Sequence, residues 1–540
     1  TVGEVVVKQW CDTGRAEDFV LKPLQESNDS VGISAVNEFR KECREFANSW
    51  IEIQKKEFNR LGVNGDWKNY YTTMSKSSEA QITREISKFI VNGGLYRGFK
   101  PVLWSVVEST ALADAEVEYY DHISNTIYTK FLIKSGPEKF INSSVVIWTT
   151  TPWTIPCNRA LAFNNKINYS LIRINNNEKI IIAEKLLNKV LSDCAIKQYE
   201  VIENFSGSEL KNIICYHPFK DIGYTFNVPM LEAAFVNLEQ GTGIVHCAPS
   251  HGPDDYYLCL NNNIQAFDTI DDKGHYTKNI IKFSGIHIFK ADEIIMNELS
   301  NLSKLLGKDK LKHSYPHSWR SKAPLVHRAT PQWFISMETN DLRKKSVIAI
   351  GSTKFYPAIG QNRLKSMIET RPDWCVSRQR VWGVPLPIFI SKKTGKTLAD
   401  LKVLENIAKI FEEEGSDAWF TRDQQDFLGK DYNAIDYEQV KDIVEVWFDS
   451  GSTHSYVLDK RPELSWPANL YLEGSDQHRG WFHSSLLESC GTRGTAPFQS
   501  ILCHGFVVDG KGQKMSKSLG NVVAPEEVIK NFGADLLRLW

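Results

Sequence analysis

What the chain lacks narrows it first. Its ten cysteines are scattered with no CxxC pair, which argues against a zinc ribbon or a dithiol redox motif and suits reduced thiols. Neither sign of charge is in excess, with 64 Lys+Arg against 65 Asp+Glu, so no global basic field announces nucleic acid and any RNA contact must be local. No apolar run approaches the length of a membrane span, no secretory leader opens the chain, and no repeat or low-complexity tract interrupts it. A soluble, cytoplasmic protein with no membrane contact is the expectation.

What is present allows several cores. At 540 residues with 42% hydrophobic and 11% aromatic content, two to four domains are expected. Residues 1–30 are of mixed charge and without period, and are left unassigned. From Ile33 onward Val36, Phe39, Cys43, Phe46, Trp50 and Ile53 recur at three- and four-residue spacing, which predicts a long helix with these side chains in the core. Strand-like material begins at Pro101–Trp104. Between Tyr119 and Leu311 short β-rich runs (145–148, 179–182, 243–246) alternate with Asn and Gly turns, Asn175–Asn177 among them as a surface loop. The pattern reads as a mostly β domain inserted into an α/β one, whose α/β character returns near Arg328.

Two regions carry chemistry. The run Ile501–Val508 predicts one buried strand ended by the turn Asp509–Gly512, and beyond it Lys514-Met-Ser-Lys517-Ser-Leu-Gly-Asn puts two lysines on a short Ser/Gly loop suited to clamping phosphate. Residues 470–481 predict a strand, a Gly-Ser bend and a helix N-capped by Ser475 or Asp476, which presents side chains at the carboxyl edge of a sheet, where ligands of open α/β folds settle. There Glu473 and Asp476 are acceptors for a ribose hydroxyl or an ammonium, and Gln477 both donates and accepts. The second region is Trp148–Asn158, a run of hydroxyls stiffened by two prolines, with Gly241–Tyr256 well downstream. Standing alone, the threonines are ordinary β-formers, the Asp254-Asp255 pair a helix cap, and Trp447 and Trp481 plain core residues.

The full strings are more specific than their parts. KMSKSLGN resembles the second signature of class I aminoacyl-tRNA synthetases, and Leu470–Trp481 is similar to a string of the isoleucyl-tRNA synthetases. Segments 328–334, 371–383 and 445–452 resemble the family's re-entry point, a strand and loop with basic side chains available for RNA, and an active-site wall. Thr149–Asn158 and Gly241–Tyr256 together look like the editing domain of isoleucyl-, valyl- and leucyl-tRNA synthetases.

The resemblance implies an α/β, Rossmann-type catalytic domain (31–118 and 312–530) with a large inserted β-rich editing domain (119–311) and the start of a helical anticodon-binding region (531–540). It implies ATP-dependent activation of isoleucine and its transfer to tRNA, with hydrolysis of mischarged valyl-tRNA. Lys514 and Lys517 would act on phosphate charge. Glu473, Gly474, Asp476, Gln477, His504 and Gly505 would hold ATP and the adenylate, and Trp447 and Trp481 would line the isoleucine pocket. In editing, Asp255 would hold the α-ammonium, Thr149, Thr150 and Thr151 the ester and its water, while Asn158 and His246 shape the pocket. Cys157 stands where the family has Ala. No strong general base is evident, so water activation by the substrate or by the threonine hydroxyls stays open. ATP with Mg²⁺ is the implied co-substrate, no dedicated protein metal site is expected, and the implied partners are isoleucine and its tRNA; the oligomeric state is left open, with a monomer the expectation. One methylene separates isoleucine from valine and is worth only about 1–3 kcal/mol, a general figure for which this pair of amino acids is itself the usual illustration. A correcting site is therefore expected. A first signature of His-x-Gly-His type and a Trp-Asp-Cys-His-Gly segment are not found, so the resemblance, from about residue 31, implies an internal piece of a larger enzyme. The alternatives are a deacylase that only edits and a non-catalytic tRNA-binding relative.

Overall fold

A helix of 31 residues, α1 (Ser30–Arg60), leads the part of the chain that the computed structural model describes, residues 30–515 and 520–539. Val36, Phe39 and Cys43 are buried on its first half, as their spacing requires. The second half departs from expectation, because Trp50 and Ile53 are 47% and 42% exposed and Phe46 is only partly covered. Periodicity fixes which side chains share a face and not how far a neighbour extends along it; Phe46 and Trp50 meet each other instead, with ring centroids 6.3 Å apart. Arg40 anchors the buried half: its guanidinium donates to Asp417, Ser416 and the carbonyls of Val381 and Gly383. A second helix, α2 (Lys76–Val91), is capped by the Ser75 hydroxyl, which accepts from the Ser78 N–H. The strand β1 (Leu95–Ser105) follows.

Two compact units divide the chain, one running up to Tyr96 and resuming at Trp333, the other spanning Arg97–Gln332. The second is the mostly β unit, wider at both ends than residues 119–311. Its strands are β2 (Val117–Ser135), β3 (Ser143–Thr149), β4 (Ala160–Phe163), β5 (Asn168–Ile174), β6 (Lys179–Ala183), β7 (Tyr199–Ser206), β8 (Ile214–Tyr216), β9 (Asn227–Glu232) and β10 (Ile244–Cys247). A helix, α3 (Pro253–Asn261), comes next, and β11 (Leu305–Ser318) closes the set. They form a ten-stranded sheet in the order β10-β4-β9-β8-β2-β3-β6-β5-β7, with β11 paired to β2. Runs such as Val145–Ile147 and Ile180–Ile182 are wholly buried, so they read as continuous apolar segments without alternation. The predicted turn at Asn175–Asn177 connects β5 to β6.

The chain returns along β12 (Val326–Ile335). The first unit then adds β13 (Lys354–Tyr356), α4 (Leu401–Glu414), α5 (Val446–Gly451), β14 (Tyr471–Gly474), α6 (Trp481–Arg493) and β15 (Ser500–His504), followed by α7 (Pro525–Phe532) and α8 (Ala534–Leu539). The β14-α6-β15 crossover makes a parallel pair with Glu473 beside Cys503 and Gly474 beside His504, and β13 extends the sheet on the far side of β15. The strand expected over 501–508 therefore stops at His504. Phe506, Val507 and Val508 are exposed: β-branched composition does not supply a ladder partner, and Val508 only bridges back to Lys514 across the Asp509–Gly512 turn. The nine described cysteines are all free, and no described helix is long and apolar enough to cross a membrane.

Candidate functional site

The first group sits at the carboxyl ends of β14 and β15. Gly474 is needed there, because a Cβ at that position would lie 2.8 Å from Asp476 Oδ1, the chain turning back tightly after the strand. Lys514 reaches the same edge, its Nζ 3.8 Å from Asp476 Oδ2 and 3.8 Å from the centroid of the Phe506 ring. Both partners of that ion pair are about half exposed. An exposed pair of this kind contributes only about 0–1 kcal/mol, so it exchanges readily for a better anion. Glu473, Gly474, Asp476, His504 and Lys514 are thus gathered at one edge, and Gly505 beside them has open space where a side chain would be. Lys517 lies outside the described residues.

Helix α6 does not begin as expected. Ser475–His478 form a separate 3-10 turn, and the helix starts at Trp481 behind Gly480. Neither Ser475 nor Asp476 caps it; Gln477 does, its Oε1 accepting the Trp481 N–H at 2.9 Å. The extra turn moves the first free N–H beyond the reach of the shorter side chains. Trp447, on α5, rests its indole edge where a Gly480 side chain would be, within 2.7 Å of that Cβ position. Trp481 stacks on Tyr471, with centroids 4.0 Å apart and planes 5° apart. Both tryptophans are half-buried at the margin of the core. Among the basic side chains of 371–383, Arg378 is not available to RNA: it is buried and donates to the carbonyls of Cys375 and Ser377.

The second group lies within the β unit. Thr149 ends β3, and the 3-10 turn Pro152–Cys157 follows it. Hydroxyls run in a line, Thr149 to Thr151 at 3.2 Å and Thr151 to Thr154 at 3.2 Å. Residues three apart on a 3-10 turn eclipse one another, which is why Thr154 joins a set in which sequence reading counted only Thr149–Thr151. Thr150 is half-buried, and its hydroxyl makes no hydrogen bond among the described residues. His246, on β10, is buried and held on both sides, with Nδ1 2.8 Å from Asn158 Nδ2 and Nε2 2.8 Å from Thr154 Oγ1. Burial pushes the imidazole down to about 3, so it is neutral. The Asn158 amide donates to Nδ1, which leaves the ring proton on Nε2 to be donated to Thr154, and Thr154 in turn donates to the Thr151 carbonyl. Asp255, in the first turn of α3, accepts from the Ala248 N–H at 2.8 Å, two residues beyond His246. Burial raises its carboxyl to about 7 against the pull of that N–H, with Asp254 adding to the rise. Cys157 is buried with its thiol pushed up to about 12, so it stands as an apolar filler at this wall. Among the described residues no three His, Cys, Asp or Glu side chains cluster as ligands for a metal ion.

Residues 16–540 match the family described as tRNA synthetases class I (I, L, M and V). The chain belongs to that family. The match takes in residues 16–30, upstream of residue 31 from which the motifs carry the resemblance, and the α/β core with a large β-rich sheet is of the class I synthetase type. An isoleucine–tRNA ligase of Pelagibacter ubique is 64% identical over 511 residues, covering 94% of this chain and 56% of that protein. One from Gluconobacter oxydans is 48% identical over 527 residues, covering 93% of this chain and 55% of that protein. The chain thus spans about half the length of the curated relatives it matches. Among solved structures, a ternary complex of Agrobacterium radiobacter LeuRS, tRNA and LeuAMS aligns over 93% of this chain and 62% of that one, with a TM-score of 0.38 and 16% identity.

Proposed function

We infer that the chain is the catalytic and editing part of an isoleucine–tRNA ligase. The observation that carries this reading is the carboxyl edge of β14 and β15, where Asp476, His504 and a loosely held Lys514 gather beside two tryptophans, in a chain whose near relatives bear that name. In the activation step the isoleucine carboxylate attacks the α-phosphorus of ATP and pyrophosphate leaves. Lys514 would give up Asp476 for the departing phosphates, Lys517 would join it, and Glu473 and Asp476 would bind ribose and ammonium groups. Gly474, Gln477, His504 and Gly505 would shape the nucleotide site. Magnesium would enter with the nucleotide's phosphates. Trp447 and Trp481 would wall the side-chain pocket, and the aminoacyl group would pass to the terminal ribose of the isoleucine tRNA.

Editing would belong to the Arg97–Gln332 unit. Asp255 would pair with the α-ammonium of a mischarged valyl group, an interaction that favours its ionised form. The hydroxyls of Thr149, Thr150 and Thr151 would place the ester and its water. His246, with both ring nitrogens engaged, would act as a fixed wall with Asn158 and not as a base. Residues 531–540 would begin a helical anticodon-binding region.

Isoleucine-dependent exchange of pyrophosphate into ATP tests the synthetic half, with valine as comparison and Lys514→Ala and Lys517→Ala as controls. Exchange lost in both variants is expected. Absence of exchange in the unaltered chain, with valyl-tRNA deacylation intact, would leave the editing-only reading. Asp255→Ala is expected to impair that deacylation, and an unchanged rate would remove Asp255 from the site.

A further inference from the structure

The two tryptophans stand on different elements, Trp447 on α5 and Trp481 at the start of α6, and something must hold them in register if they are to measure a side chain. Three observations converge on Tyr471. Its ring, buried at the foot of β14, is the surface on which Trp481 stacks. Its hydroxyl lies 3.1 Å from Ser485 Oγ on α6. Ser485 in turn donates to the carbonyl of Gly451 at 3.1 Å, and Gly451 is the last residue of α5. Ser485 has a single proton and spends it on Gly451, so Tyr471 must be the donor to Ser485. The relay runs one way, from the Tyr471 O–H to Ser485 Oγ and from Ser485 to the Gly451 carbonyl.

That relay ties the strand below one indole to the helix bearing the other. The helices also approach closely at its end: a Cβ on Gly451 would lie 1.9 Å from Glu488 Oε1 of α6, while Ser452 Oγ is 2.6 Å from Glu488 Oε2. Beside the lean of Trp447 on Gly480 and the hold of Gln477 on the Trp481 N–H, Tyr471 adds a path from the Trp481 ring through Ser485 to the backbone of α5.

We propose that Tyr471 is a specificity-positioning residue, setting the spacing of Trp447 and Trp481 through its stack and its hydroxyl relay, so that the pocket's preference for isoleucine over valine depends on a phenol that touches neither amino acid. The proposal rests on the assignment of the two tryptophans as the isoleucine pocket.

The test is equilibrium dialysis of the full chain against L-isoleucine and against L-valine. Tyr471→Phe keeps the stack and removes the donor; Ser485→Ala removes the middle of the relay. Each should narrow the isoleucine-over-valine ratio of dissociation constants by about 2- to 10-fold, the span of one net hydrogen bond. The double variant should narrow it no further than either single one, as for residues acting through one chain of contacts. A merely structural loosening would weaken both ligands alike and leave the ratio unchanged. Isoleucine preference in the unaltered chain, with the ratio unmoved in the variants, overturns the role of Tyr471 and leaves the pocket standing. No preference in the unaltered chain overturns the pocket assignment and the proposal with it. Should Tyr471→Phe not fold, Ser485→Ala decides the same question.

Discussion

Single side chains here carry more than their residue type announces. Asp255 is the clearest case, since burial holds its carboxyl near 7 where an unfolded aspartate titrates near about 3.9. The folded state therefore keeps the proton more tightly than the unfolded one. The stability this confers is complete below about pH 4 and is lost as the pH rises through about 7. Asp255→Asn is expected to be more stable than the parent chain at about pH 8 and equal to it near about pH 4, a crossover that urea titrations at the two pH values would reveal. If Asp255 holds the α-ammonium as proposed, deacylation of valyl-tRNA is expected to rise with pH through about 7 in the parent and to be low and flat in the variant. The identity of Asp255 as a candidate was legible from its string, but its altered acidity was not, because that depends on what α3 and the Ala248 N–H bring around it. Thr154 escaped for a similar reason: only the 3-10 turn places it over Thr151.

At the scale of elements, α1 and α2 depart from their apolar stripes in opposite directions. The first shows a clean apolar stripe that its neighbours cover only in part, so Trp50→Ala is expected to change stability by no more than about 0.5 kcal/mol in chemical unfolding, as for an exposed site. The second carries a short stripe of Ile82, Ile86, Phe89 and Ile90, yet it is buried well beyond that stripe, with Glu79, Thr83 and Glu85 inside as well. Its polar residues are satisfied by partners far along the chain, such as Arg493 on Glu85, which no local window contains. The corner between β14 and α6 was legible as strand, bend and helix, but the 3-10 turn shifted the cap to Gln477. Gly480 is the sensitive point of that corner. Gly480→Ala would drive a methyl against Trp447 and is expected to cost about 1–3 kcal/mol of stability, the usual range for overpacking, together with affinity for isoleucine, measurable by unfolding and by dialysis.

For the whole molecule, composition and run lengths sufficed to foresee an α/β part and a β part, because each is written in a distinct period. Their limits were less legible, since the boundary runs through continuous strands at β1 and β12 instead of through linkers. Each unit has its own buried side chains. Residues 97–332 expressed alone are accordingly expected to melt in a single cooperative transition and to keep valyl-tRNA deacylation. The division also has a consequence for how the protein is made. The β unit is one uninterrupted stretch, whereas α2 finds its partners in α4 and α6, beyond residue 400. At about 5–20 residues per second of synthesis, the β unit can close while the ribosome still holds the rest, and α2, although born first, must wait with its apolar side chains uncovered until its partners emerge.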